Sequence, residues 1–256
     1  MLLRRVTQHV KAQNWFAVFV DFVIVVVGVF IGIQVANWNE QIAGEKRAKV
    51  LLKRTYNDLN NDIEVFKAEL DYLTVVRQYA MTAVNRLNNK QAIDDEQLVI
   101  AIYQATQING VWSNRATYNE MLSTGDINLI QDEKLKSLIF GYYSVDFATN
   151  EFLTARAPYR ELVRSHMPVT IQDSIKNLCG DQLISTTNNF SATLPETCDI
   201  PHTQEEIKHA TEQMRKLPNL LSSLRLQIAI NDTKVFNLKL FLNQAEQLME
   251  SIRKNS

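Results

Sequence analysis

The sequence predicts an all-α protein: an N-terminal transmembrane helix followed by an elongated helical bundle with long coiled-coil-like helices. Three observations predict it. An almost uncharged apolar run, WFAVFVDFVIVVVGVFIGIQVANW, begins at Trp15. Apolar residues then recur at alternating steps of four and three over two long stretches, the period of a helix with one buried face. Only seven Gly and five Pro occur in 256 residues, while Leu, Ala, Glu, Gln, Lys and Asn dominate, which favours long helices over a turn-rich β fold. The chain divides into a short cytoplasmic tail (residues 1–15), a transmembrane anchor (16–36) and a helical extracytoplasmic domain (37–256) with a loop insert at about 168–202.

The apolar run has the length needed to cross about 30 Å of hydrocarbon as a helix. Trp15 and Trp38 bracket it; at roughly 1.5 Å per residue they stand about 34 Å apart, close to the separation of the two headgroup layers that indoles prefer. Arg4, Arg5 and Lys11 precede it, as in the n-region of a cleaved signal. The run is longer than a signal core, however, and no small-x-small site follows, because Gln34 and Gln41 stand where the small residue is needed before Ala36 and Ala43. A retained anchor is the reading adopted.

Lys46, Arg47, Lys49, Lys53 and Arg54 follow the span and outnumber the basic residues before it, so charge counting does not fix orientation. Long domains translocate largely regardless of charge, and a short basic tail is better left inside. The N-terminus is therefore placed in the cytoplasm and the domain in the periplasm. Within the span, Gly28 and Gly32 form G-x-x-x-G and Asp21 shares their face, with Val25 and Val35 completing the stripe. Small residues let two helices approach, and a carboxyl in the membrane seeks a partner, so this face is a candidate helix–helix contact with a second copy. Two plainer facts compete with that reading. Gly is common in membrane helices, and Asp21 stands near enough to the cytoplasmic end to reach the interface.

The end of the span, VVVGVFIGIQVANWNE (Val25 to Glu40), and a second stretch, TYNEMLSTGDINLIQDEKLKSLIFGYYS (Thr117 to Ser144), resemble an uncharacterised bacterial family of single-pass anchored helical proteins. In that family the apolar helix closes on a Gln and then Asn-x-Trp-Asn-Glu, matched by Gln34, Asn37, Trp38, Asn39 and Glu40. The central segment departs from the family pattern at Thr124, where a second Ser is expected, and at Asp126, where Asn is more usual. The resemblance implies a bacterial membrane setting and an uncleaved anchor; with the orientation adopted above, the expected location is the inner membrane. It implies no activity.

Beyond the anchor, Leu52, Tyr56, Leu59, Ile63, Phe66, Leu70 and Leu73 form a seam that continues through Ala80, Val84 and Leu87. A helix over residues 42–88 would extend some 70 Å. Shorter helices are predicted over Asp95 to Gln107 and Asn114 to Ser123, the second stopped by Gly125 at positive φ. Asp132 caps the next helix, and residues 126–130 form a tight connector carrying Ile127, Leu129 and Ile130 inward. Leu135, Leu138, Tyr142, Val145, Phe152, Tyr159 and Leu162 suggest a third long helix that Pro158 kinks or divides. The C-terminal seam reads Leu221, Leu224, Ile228, Asn231, Val235, Leu238, Leu242, Ala245, Met249 and Ile252.

The Ser, Thr, Asn and Pro of residues 168–202 show little helical period and read as a long loop. Cys179 and Cys198, the only cysteines, flank it. In an oxidising compartment they pair as a disulfide; the alternative is two unpaired cytosolic thiols.

Chemistry is sparse. His202, Glu206 and His209, four and three apart, could share a helix face and bind zinc. They do not make His-Glu-x-x-His, and such triplets arise readily on exposed helices, so no metal site or cofactor is assigned. His166 reads as a helix-end histidine. No nucleophile elbow, phosphate loop, dinucleotide fingerprint or kinase signature occurs, and no catalytic residue is assigned. With 27 basic and 28 acidic residues interleaved, no basic face suggests nucleic acid.

The expectation is a non-enzymatic, membrane-anchored periplasmic helical structural or interaction protein. Its partners are the bilayer and either a second copy or another membrane or periplasmic protein. The rivals are a ligand-sensing helical module acting through a membrane partner and, third, a metal-dependent enzyme. An internal polar pocket favours sensing, an exposed apolar stripe along the bundle favours protein binding, and bound metal favours catalysis.

Overall fold

The structure, a computed structural model, describes residues 15–88, 94–185 and 190–255. The tail with Arg4, Arg5 and Lys11, and residues 186–189 of the expected loop insert, lie outside the described residues. Among the described residues the chain is all-α apart from one short hairpin. Helix α1 runs unbroken from Trp15 to Asn88, 74 residues or about 110 Å at 1.5 Å per residue. It is followed by α2 (Asp95–Gln104), α3 (Ala116–Thr124), a 3-10 turn (Asp126–Leu129), α4 (Glu133–Tyr143), α5 (Glu151–Thr154), α6 (Tyr159–His166) and α7 (Val169–Cys179). The antiparallel strands β1 (Gln182–Ser185) and β2 (Phe190–Thr193), then α8 (Gln204–Arg215) and α9 (Leu220–Lys254), complete it.

No residue of α1 from Trp15 to Arg47 is buried; from Ala48 onward the same helix is the spine of the bundle. Helix α9 runs antiparallel along it. Its start at Leu220 and Leu224 packs with Tyr79, Ala80 and Ala83 of α1, and its end at Leu248 and Ile252 packs with Leu51 and Leu52. The core thus forms two large clusters strung along one spine, with a small third where the hairpin meets it. The half nearer the apolar segment is closed by α3, the 3-10 turn, α4 and α5. The far half is closed by α2, α6, α7 and α8 around a wholly buried run from Leu98 to Gln104.

Local chemistry sets the boundaries. Asp94 caps α2 through Gln97 N–H at 3.3 Å, and Asp132 caps α4 through Lys134 and Leu135 N–H. Gly125 ends α3 at φ 77°, where a Cβ would strain the backbone. The connector turns Ile127 and Ile130 into the core, while Leu129 is half-buried against Gly44 of α1.

Three expectations are corrected. The third long helix is three short ones: after Tyr143, Asp146 accepts from Ala148 N–H and Thr149 O–H, and Asn150 caps α5 through Phe152 and Leu153 N–H. These short polar side chains offer the backbone a turn in place of the next helical bond, and Pro158 divides the segment, the second of its two expected effects, by opening α6. The loop insert contains α7, with Ile171, Ile175 and Cys179 buried one turn apart, and the hairpin, whose Ala192 and Leu194 pack on Tyr72 and Val76. Finally, the seam of α9 keeps Leu224, Asn231, Leu238, Ala245 and Ile252 but pairs them with Leu220, Gln227, Lys234, Phe241 and Leu248. Leu221, Ile228, Val235, Leu242 and Met249 are only half-buried.

Candidate functional site

The buried face of α1 carries Thr55, Asp58, Asp62 and Glu69 among its apolar side chains. They recur at helical spacing beside the apolar seam, so a single face of the spine presents both. An isolated buried carboxylate is costly, and each needs a compensating group.

Asp62, 2% exposed, is held from two directions. Its Oδ1 accepts from Asn114 N–H and its Oδ2 from Tyr142 O–H, both at 2.8 Å. Asp58 Oδ1 accepts from the Asn114 side-chain amide at 2.8 Å, while its Oδ2 has no hydrogen-bond partner among the described residues. Burial pushes the Asp62 carboxyl up to about 7; the hydrogen bonds from Asn114 and Tyr142 oppose the shift and the Asp58 charge adds to it. Arg115 frames this corner, donating to the Tyr143 and Val145 carbonyls at 2.6 and 3.0 Å. Its guanidinium lies 5.6 Å from the centroid of Tyr118, which stacks on Tyr143 at 4.5 Å.

Two turns further along α1 lies Glu69, 3% exposed, facing Lys234 of α9, 7% exposed. Burial raises the Glu69 carboxyl to about 8, with Asn109 and the Lys234 charge opposing and Asp181 adding. Burial likewise lowers Lys234, opposed by Glu69 and assisted by Arg156. Each group thus moves toward its neutral form. Lys234 also lines a pocket of about 300 Å³ formed by the 108–112 loop, Phe147 and Ala148, Leu153 and Thr154 of α5, and Arg156. Beyond it Tyr72 O–H donates to Asp181 Oδ1 at 2.8 Å.

The residues singled out in the sequence fall elsewhere. Asp21, Gly28 and Gly32 lie on the exposed apolar part of α1, where a Cβ on either glycine would meet nothing within 4 Å. Cys179 and Cys198 are bonded, with Cα atoms 5.7 Å apart. The carbonyls of the same residues accept from Gln104 and Gln97 of α2. His202 and Glu206 meet at 3.4 Å, but the carboxylate belongs to a capping box with Thr203 and His202 Nε2 lies 2.8 Å from Ser174 Oγ. His209 is exposed, and no group of three metal-ligating side chains is assembled among the described residues. The pattern of four and three reflects a helix start.

The segment from Thr117 to Ser144 packs as core through Tyr118, Met121, Ile127, Ile130, Leu135, Ile139, Tyr142 and Tyr143. It clasps α1 through Arg47 with Glu120 and Asp126, and through Arg54 with Glu120. Asp58, Asp62 and Glu69 were passed over in the sequence because carboxylates on a long helix are ordinarily solvated. The available signal was their place on the face flanked by Leu51, Leu59 and Phe66.

No curated protein and no solved structure matches the chain. A family model described as "Family of unknown function (DUF6090)" matches residues 21–149. The matched span takes in the apolar segment from Asp21 onward, the buried carboxylates of α1 and the α3–α4 clasp, and leaves Arg156, Asp181 and Lys234 outside it. With half its length so matched, the chain belongs to the DUF6090 family, a family of unknown function.

Proposed function

We propose that the protein is a single-pass anchor of the bacterial inner membrane that holds a non-catalytic helical interaction domain in the periplasm, its N-terminus in the cytoplasm. One observation carries the reading: the apolar end of α1 stands wholly outside the bundle while the rest of the same helix is its spine. Burying about twenty apolar side chains in lipid removes an exposed surface that water would not tolerate on a monomer. The bonded Cys179 and Cys198 support the periplasmic side, where disulfides persist. A second copy is the partner proposed for the face bearing Asp21, Gly28 and Gly32, open in the single chain.

The test is thiol labelling in intact cells with a membrane-impermeant maleimide. Labelling of Cys179 and Cys198 only after mild reduction supports the reading. Thiols protected in intact cells but reactive without reduction after lysis would invert the topology and move the partner search to the cytoplasm. Loss of crosslinked dimer in a Gly28→Ile, Gly32→Ile double variant tests the anchor contact.

A second reading, a ligand-sensing module, is favoured by the pocket at Lys234, where two cationic side chains meet an apolar wall. Its signal would pass along α1 to a membrane partner.

A further inference from the structure

We propose that the pocket between the 108–112 loop, α5 and α9 binds a small organic monocarboxylate, its carboxylate against the Lys234 ammonium and the Arg156 guanidinium and its apolar body against Trp112, Phe147 and Leu153. The assignment deepens the ligand-sensing reading and rests on it.

The first ground is an uncompensated cation. Lys234 is 7% exposed and lines the pocket, yet its ammonium makes no hydrogen bond or salt bridge with any described residue. A buried ammonium left so is expensive, and an anion in contact with it relieves the cost. Its acidic neighbour, Glu69, acts on it only through charge, with no hydrogen bond or ion pair between the two and with Oε2 unpartnered, so no anion is in contact with the ammonium. Arg156, exposed on the same wall, adds a second positive group.

The second ground is the lining. Trp112, Phe147 and Leu153 face a space of about 300 Å³ beside the two cations, with Asn109 offering a further polar group. Inorganic phosphate would satisfy the charges and leave the apolar wall wet. A carboxylate with an aliphatic or aromatic body matches both, and the volume fits a ligand at the small end of the usual range. A lipid headgroup in place is excluded by distance. Glu69 stands about 31 residues beyond Trp38, roughly 47 Å along the helix, so the ligand arrives free in solution.

The experiment uses the full chain in lipid nanodiscs, titrated with hexanoate and with benzoate, followed by calorimetry and tryptophan fluorescence; a Trp112→Phe variant assigns the optical signal. Expected is saturable binding of one equivalent, at least ten-fold weaker in Lys234→Met and in Arg156→Gln, with hexanol and inorganic phosphate binding at least ten-fold more weakly than hexanoate. Arg156 is exposed, so its variant reports on the site even if Lys234→Met alters the packing of α9. Absence of saturable carboxylate binding, or binding by both variants as tight as by the unaltered chain, overturns the site. Phosphate binding as tightly as hexanoate overturns the ligand class. Hydrogen exchange along α1 separates this from the sensing reading: carboxylate binding without any change in α1 keeps the site and removes the signal.

Discussion

Tyr142 and Asp62, 80 residues apart in the chain, meet at 2.8 Å, the phenol donating to the carboxyl of the spine helix. The bond ties α4 to α1 at a point where neither group has water to fall back on, and the other oxygen of Asp62 fixes the residue that precedes Arg115 and α3. One side chain thereby positions two elements.

Asp62→Ala leaves Tyr142 O–H and Asn114 N–H without an acceptor, and the expected loss of stability is about 2–4 kcal/mol. Asp62→Asn retains the oxygen that takes the Asn114 N–H and can donate to Tyr142, so its cost is expected to be smaller. Thermal denaturation followed by circular dichroism ranks the two; equal losses would show that shape, not hydrogen bonding, sets the contribution.

Stability falls as pH rises. Asp62 has its proton held up to about 7 in the fold against an ordinary 3.8, and Glu69 up to about 8 against 4.5. Between those limits the native state binds more protons than the unfolded chain, so stability is greatest below about 4 for these two groups, declines through the window and levels off above about 8. The Tm is expected to be higher at pH 5 than at pH 8.5, and the difference to shrink in Asp62→Asn and in Glu69→Gln. An unchanged slope in both variants would assign the protons elsewhere.

Phe241→Ala and Leu242→Ala test the register of α9. Phe241 is buried and edge-on to Phe147 at 4.9 Å, so its truncation is expected to cost about 3–5 kcal/mol. Leu242 is half-buried and its truncation should cost clearly less. The reverse order in denaturation midpoints would restore the register read from hydrophobicity.

Reduction of the disulfide is expected to cost about 3 kcal/mol on a loop-entropy estimate and to act locally. Faster amide exchange is predicted in α7, the hairpin and α2, which holds the carbonyls of both cysteines, with α3 and α4 unchanged. Uniform acceleration would mean that the two halves of the core unfold together.

Gly44 faces Leu129, whose Cδ2 would lie 3.2 Å from an added Cβ. Gly44→Ala is expected to be near neutral, a small shift of a flexible tip being offset by the better helix former. Gly44→Leu should lever the 3-10 turn off the spine and lower stability by about 1–3 kcal/mol, read as a lower Tm.

The elements legible in the sequence are those where one strong signal acts alone. The apolar stretch, the stop at Gly125 and the cap at Asp132 each stand as read. Where two signals compete the reading failed. Val235 is more apolar than Lys234, yet Lys234 is inside, because both registers satisfy steps of three and four and hydrophobicity alone does not separate them. Leu135 to Leu162 keep a helical period that Asp146 and Asn150 interrupt from outside the seam. The candidate site was least legible of all, since Asp58, Asp62 and Glu69 become unusual only once Asn114, Tyr142 and Lys234 arrive from distant parts of the chain.

The unbroken course of α1 makes the molecule a lever. From Trp38 to Asn88 the spine extends roughly 75 Å without a hinge, so a change of about 10° in the tilt of its apolar end would sweep the far end through some 13 Å. Tilt answers to bilayer thickness, so with the apolar end in a bilayer, as proposed, a few ångströms of lipid would become a displacement as large as a helix diameter at a distant surface.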